Sequence, residues 1–195
     1  MASSNDPTRR AVMTALAGIS LGGASLTAVG GEARVSSRTL VAYFSRSGNT
    51  RVVAGLIRRT LNADLFEIQP ATPYPEDYLE TVEQARQERD SDHEPALAAS
   101  VARIANYDTV FLGFPIWGET TPPVIRSFLS AHDLSDKPLI PFITHGGYGL
   151  GNSRAVLARR APRAELRQGF SMQADQERQT MNLVNDWMKS VNVTR

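Results

Sequence analysis

Apolar positions along the chain switch between two rhythms. Residues 39–44, Thr-Leu-Val-Ala-Tyr-Phe, are a short run of strand formers. Val53, Leu56, Ile57 and Leu61 then recur at helical spacing. Residues 64–68 alternate and read as a second strand. Residues 70–75 hold three prolines, which exclude regular structure there. Glu76 and Asp77 open a helix that sets Tyr78, Val82 and Ala85 on one face and charges on the other; residues 91–95 end it. Leu97, Val101 and Ile104 predict another short helix. Residues 108–115 are apolar throughout, as in a strand covered on both faces. After a loop over 116–123, Val124, Ile125, Phe128 and Leu129 mark a helix, and 139–144 form a fourth strand. A glycine-rich stretch, 145–151, precedes a short helix over 153–160. Residues 165–170 read as a weaker, more polar fifth strand suited to an edge. The last helix carries Met181, Val184, Trp187 and Met188.

The junction of the first strand and helix is Ser45-Arg46-Ser47-Gly48-Asn49-Thr50. A tight turn there exposes the unpartnered N–H groups and the positive end of a helix. Ser45, Ser47, Asn49 and Thr50 add donors, and Gly48 permits close backbone approach. Together these make a phosphate site. The lysine and glycine spacing of a nucleoside-triphosphate loop are missing, as is the glycine spacing of a dinucleotide fold. Plain turn chemistry with a helix cap is the competing reading.

Strands alternating with helices predict an α/β fold, a three-layer α/β/α sandwich around a five-stranded parallel sheet with right-handed crossovers. A phosphate turn after the first strand points to the order 2-1-3-4-5, with ligands at the carboxyl ends of strands one and three. The loops after strands one, three and four then leave the same edge. The second is Pro115-Ile116-Trp117-Gly118-Glu119-Thr120 and the third Thr144-His145-Gly146-Gly147-Tyr148-Gly149. Trp117 and Tyr148 can cover a planar ring from two sides, and the glycines let backbone groups reach its polar edge. Alternatively Trp117 folds down as peripheral core and Tyr148 is an ordinary surface turn.

A net charge of +1 gives no electrostatic case for nucleic acid or acidic partners. The absence of cysteine excludes disulfides, thiolate metal sites, a cysteine nucleophile and lipid attachment through sulfur. No His and carboxylate cluster has metal-ligand spacing, so no metal is expected. The run Asp90-Ser91-Asp92-His93-Glu94 reads as a solvated loop rather than a metal site, and His93 and His132 read as surface residues. A serine nucleophile would need a Gly-x-Ser-x-Gly elbow, which is missing. His145 is the one catalytic candidate, as a proton donor, and equally a residue that orients the loop backbone.

Residues 1–33 stand apart from the domain at 34–195. A polar start ends in Arg9-Arg10, followed by a weakly apolar, uncharged stretch interrupted by glycines. That layout is an export signal, and the arginine pair ahead of Ala11-Val12-Met13 resembles a twin-arginine signal. Export to the periplasm or the exterior is expected, with the signal removed and no stable membrane insertion afterwards. A membrane anchor and a disordered extension of a cytoplasmic protein are the alternatives. Removing the segment takes two charges of each sign and leaves the net charge unchanged.

The motifs Phe44-Ser45-Arg46-Ser47-Gly48-Asn49-Thr50, Phe114-Pro115-Ile116-Trp117-Gly118 and Thr144-His145-Gly146-Gly147 together resemble the flavodoxin-like family of FMN proteins, from about residue 39 to the end. Pro73-Tyr74-Pro75-Glu76-Asp77-Tyr78 looks like a segment of one bacterial branch of it. The resemblance implies that Ser45, Ser47, Gly48, Asn49 and Thr50 hold the FMN phosphate. It implies that Pro115, Ile116, Trp117 and Gly118 line the flavin, with Gly118 near its N5. Thr144, His145, Gly146, Gly147 and Tyr148 would face the pyrimidine end. The implied activity is electron transfer through bound FMN, to a redox partner protein or a small quinone-like acceptor. An NAD(P)H-dependent quinone or flavin reductase, with a homodimer as one arrangement, is the enzymatic alternative. A flavodoxin-shaped binding module without flavin is the alternative from another class.

Overall fold

The computed structural model describes residues 38–174 and 177–191. The segment read as an export signal lies outside them. No helix among the described residues is long and apolar enough to cross a membrane.

Three apolar strands form the centre: β1 (Thr39–Tyr43), β3 (Thr109–Pro115) and β4 (Pro138–His145). With β2 (Asp64–Glu67), β5 (Glu165–Leu166) and β6 (Phe170–Gln173) they make one parallel sheet of order β2-β1-β3-β4-β5, with β6 also on β4. This is the predicted α/β sandwich and strand order. The alternation of each strand divides its residues between two cores. Val41, Tyr43, Phe111, Ile140 and Phe142 pack beneath α1 (Asn49–Leu61) and α5 (Glu177–Ser190). Leu40, Ala42, Val110, Leu112 and Phe114 pack against α3 (Pro123–Ala131) and Leu157 of α4 (Ser153–Arg160). Four fully buried phenylalanines, at 111, 114, 128 and 142, anchor the two layers. Each such ring contributes about 1.5–3 kcal/mol over leaving it exposed.

Three sequence expectations change. The fifth strand is split into β5 and β6, because Pro141 sits where β4 should donate to it. Arg167 N donates to Leu139 O at 3.0 Å, and the next ladder bond would need the N–H that Pro141 lacks. The Arg154 guanidinium instead donates to the Arg167 carbonyl at 3.0 Å. Register then slips by one residue, from Leu139 opposite Leu166 to Phe142 opposite Phe170. The helix expected near Leu97, Val101 and Ile104 is only a single 3-10 turn, Ile104–Asn106. Backbone groups there are committed elsewhere: Ala71 N donates to Ala96 O and Ala98 N to Gln69 O, at 2.7 and 2.9 Å. His132 is buried, not on the surface. Its Nδ1 lies 2.8 Å from Phe128 O, and Nε2 accepts from Val101 N at 2.9 Å, which sets the neutral Nδ1–H tautomer.

Helix α2 (Tyr78–Asp90) is capped by Asp77, whose carboxylate accepts from Glu80 N at 2.9 Å. The acidic run after it is exposed over residues 90–93, as expected of a solvated loop, and also latches α2 to α3 and α4. The Arg126 guanidinium, 5% exposed as a residue, pairs with Asp92 at 2.8 Å and donates to the carbonyls of Glu88 and His93. Arg160 pairs with Asp92 and, at 2.6 Å, with Glu94. The Arg160 and Arg126 guanidiniums hold the Asp92 carboxyl below its ordinary value of 3.8. The folded chain therefore releases this proton more readily than the unfolded chain. The latch contributes fully above about pH 4 and is lost as pH falls through the lowered value. Asp92→Asn is expected to be less stable than wild type at pH 7 and to lose stability less steeply between about pH 4 and 2. Denaturant titrations at a series of pH values measure both; parallel acid slopes would contradict it.

Candidate functional site

The carboxyl edge of the sheet gathers the three predicted loops, and Thr144 is where they are fastened. Its carbonyl accepts from Ile116 N at 2.8 Å, joining the second loop to the third. Its hydroxyl lies 2.9 Å from that of Thr50, joining the first loop to the third. Thr50 is thus turned inward and buried, so what it offers a ligand is its amide rather than its side chain.

In the first loop Gly48 adopts φ +96°, a left-handed conformation that lets the chain turn sharply into α1. Gly48 N donates to Ser45 Oγ at 3.1 Å, and the Asn49 side-chain amide donates to Ser47 Oγ at 3.3 Å. Val52 N reaches Gly48 O, but among the described residues the amides of Asn49, Thr50 and Arg51 have no acceptor. No acidic residue stands in the first turn of the helix. Three undirected N–H groups, a dipole end and two neighbouring serines remain, a donor set with the chemistry of a phosphate cradle. The cap reading accounts for less, since no side chain caps this helix.

The second loop is a two-residue turn. Trp117 and Thr120 exchange backbone hydrogen bonds at 3.0 and 3.2 Å, with φ +54° at Gly118 and +63° at Glu119. Asn152 N donates to Glu119 O and Thr120 Oγ1 to Asn152 Oδ1, so the start of α4 braces the turn. Trp117 is half-buried. Its ring meets Phe44 and Tyr74 edge-on, with centroids 5.2 and 4.9 Å apart. The peripheral-core reading of Trp117 holds in part: it packs downward on two aromatic rings, and it also borders a cleft with Ser47. Tyr74 is itself held by Glu88 at 2.9 Å, and burial, then the Glu88 carboxylate, push its phenol well above the ordinary value.

In the third loop His145 Nδ1 accepts from Gly147 N at 3.2 Å, and His145 O accepts from Ala174 N at 2.8 Å. The histidine therefore orients loop backbone and keeps its Nε2–H for another acceptor. Gly146 and Gly147 are exposed, and Tyr148 stands 87% exposed without covering anything.

The cleft bordered by Ser47 and Trp117 has a volume of about 330 Å³ and continues away from the third loop, toward α2. Tyr78, Val82 and Ala85, the residues expected on one face of this helix, form its far wall. Tyr78 is 66% and Val82 46% exposed. Arg46, Arg86 and Arg89 also line it. These α2 residues and Arg46 were not among the sequence-derived site residues. The stripe itself was legible; what it faces was not. Among the described residues, no group of three His, Asp or Glu side chains is placed to hold a metal ion.

A family model described as flavodoxin matches residues 38–191. A candidate flavoprotein of known structure from Bacteroides eggerthii is 31% identical over 81% of this chain and 99% of its own, with a TM-score of 0.70. One from Bacteroides uniformis is also 31% identical, over 78% of this chain and 98% of its own, with the same TM-score. A Lactobacillus acidophilus flavoprotein solved in complex with FMN shares the fold at 20% identity and a TM-score of 0.61, over 75% of this chain and 99% of its own. No curated protein matches the sequence.

Proposed function

The chain belongs to the flavodoxin family, and from that premise we propose that it binds FMN at the three-loop edge and passes electrons through it. The observation that carries this reading is the set of amides at Asn49, Thr50 and Arg51, left without acceptors beside Ser45 and Ser47. A phosphomonoester fits that set, because each of its oxygens can accept from several converging N–H groups. Bound FMN supplies one- and two-electron chemistry; the chain supplies its binding, orientation and surroundings.

Each loop has a separate task in this reading. Ser45, Ser47, Gly48 and Asn49, with the amide of Thr50, hold the phosphate. Pro115, Ile116 and Trp117 give the ring an apolar border. Gly118, with φ +54° in the turn, would bring its peptide to the ring edge. Thr144, His145, Gly146 and Gly147 offer backbone groups to the polar end, with Tyr148 free to swing over it. The complex of the Lactobacillus acidophilus protein with FMN agrees with this choice of flavin.

Titration of the flavin-free full chain tests it. FMN should bind one to one, with its fluorescence quenched. Riboflavin, which lacks the phosphate, should bind at least about tenfold more weakly, a loss of about 1.4 kcal/mol or more. Equal affinities would remove the phosphate from the first loop, and no binding of either would leave a flavin-free module.

A further inference from the structure

Charge is divided unevenly across one face of the sheet. On that face α2 and α4 flank α3. Each helix follows a strand of a parallel sheet, so α2 and α4 run in the same direction and both start at the carboxyl edge. From Glu76 to Asp90 the exposed acids are Glu76, Asp77, Glu80, Glu83 and Asp90, opposed by Arg86 and Arg89. The strip formed by α4 and the turn after it has the opposite sign: Arg154, Arg159, Arg163 and Arg167 are exposed, against Glu165 alone. Each strip therefore carries an excess of three charges, negative on α2 and positive on α4.

Contacts within the chain explain little of the basic strip. Arg167 answers Glu165, and Arg159 suits the carboxyl end of its helix. Arg154 stands in the first turn of α4, the end that disfavours a cation, and its one hydrogen bond goes to a neutral carbonyl, that of Arg167. Among the described residues Arg154, Arg159 and Arg163 have no carboxylate partner. Ala155 and Ala158, also exposed, keep the surface low between the arginines. On α2, Leu79, Glu83 and Asp90 share one outward stripe, and Leu79 is 73% exposed. Neither these residues nor Glu80 line the cleft beside Trp117. Leu150, exposed just ahead of α4, is the apolar counterpart of Leu79. Helix α3 sets nothing bulky between the strips, since Pro123 to Leu129 are buried and Ser130 and Ala131 are small.

A twofold axis parallel to α3 turns one copy over onto another and sets α2 of each against α4 of the other. Because both helices start at the same edge, Leu79 then falls level with the partner's Leu150, and the α2 acids lie along the partner's Arg154 and Arg159. The contact is isologous, so each complementary pairing occurs twice. We propose that this face is a docking surface for a second copy of the chain, with the acidic α2 of each copy on the basic α4 of the other. The pairing does not rest on the FMN reading.

Sedimentation equilibrium of the full chain, with and without FMN, tests it at about 0.02 M and about 0.5 M salt, between which screening shortens the reach of charge several-fold. A dimer should form at low salt, and its Kd should weaken at least about tenfold at high salt. Two reversals at exposed positions follow: Glu80→Arg with Glu83→Arg on α2, and Arg154→Glu with Arg159→Glu on α4. Each should unfold thermally close to wild type, as surface changes do, and dimerise at least about tenfold more weakly. Mixed one to one, the two variants should recover wild-type dimerisation, because both strips are complementary in the mixed pair and in neither parent. The neutral pair Arg154→Gln with Arg159→Gln should fall between wild type and the reversal. A chain that stays monomeric at low salt up to about 100 μM overturns the proposal and leaves the strips to an unlike partner. So does a dimer indifferent to salt and to both reversals, or a mixture no tighter than its parents.

Discussion

Gly113→Ala is expected to destabilise the fold by about 3 kcal/mol, the upper part of the range for overpacking a core. Gly113 lies in the middle of β3, opposite Tyr43 on one side and Phe142 on the other. The Phe142 ring lies across the space above it: a Cβ would stand 2.1 Å from two ring carbons. Phe142 is fully buried in the core beneath α1 and α5, so the ring has no empty volume to enter. Gly113 O also accepts from Phe44 N at 2.9 Å, at the base of the first loop, so a shift in β3 reaches the site. Thermal unfolding should move down by about 6–12 °C for a domain of this size. The pair Gly113→Ala with Phe142→Leu should be less unstable than the sum of its two members by at least about 1 kcal/mol. An alanine variant within about 0.5 kcal/mol of wild type, the range of an innocuous surface change, would show that the ring does not occupy this space.

Gly113 shows how far the sequence could be read. Its apolar neighbours announced a doubly covered strand, because period and composition are local properties. The glycine within that run was equally visible, but its reason is Phe142, which belongs to a different strand. The same division holds elsewhere. Three loops at one edge follow from strand order, and strand order follows from the βα alternation. The split of the last strand does not, since it depends on Pro141 facing Arg167. His132 looked polar among polar neighbours, yet its ring closes a hydrogen-bond bridge between Phe128 and Val101. The stripe Tyr78, Val82 and Ala85 had the spacing of a core face. It became a cleft wall because α2 buries little: only Thr81 and Glu88 are fully covered in that helix. Periodicity says that a face is apolar, not whether protein or ligand covers it. The donors of the first loop were legible for a physical reason too. A strand-turn-helix junction leaves amides unpartnered whatever surrounds it, while the inward turn of the Thr50 side chain depends on a distant threonine.

Ser47→Asp should weaken FMN binding by about a hundredfold, or about 2.7 kcal/mol, while leaving riboflavin almost unaffected. Ser47 is exposed beside the start of α1. A carboxylate there is itself favoured by the helix end, so the folded chain should keep its stability or gain a few tenths of a kcal/mol. The same favourable position sets it against a phosphate held by the amides of Asn49 and Thr50. At about 6 Å, with an effective dielectric constant of about 20, one carboxylate and a dianionic phosphate repel by about 5 kcal/mol. Salt and solvent at so exposed a place reduce this by roughly half. Ser47→Ala removes one hydroxyl donor and no more, and should cost FMN about tenfold or less. Fluorescence titration of both flavins against the three proteins separates the cases. An aspartate variant that loses FMN and riboflavin alike would locate the damage in the ring border or the fold. One that binds FMN as wild type does would place the phosphate away from the first loop, and the charge argument would fail with it.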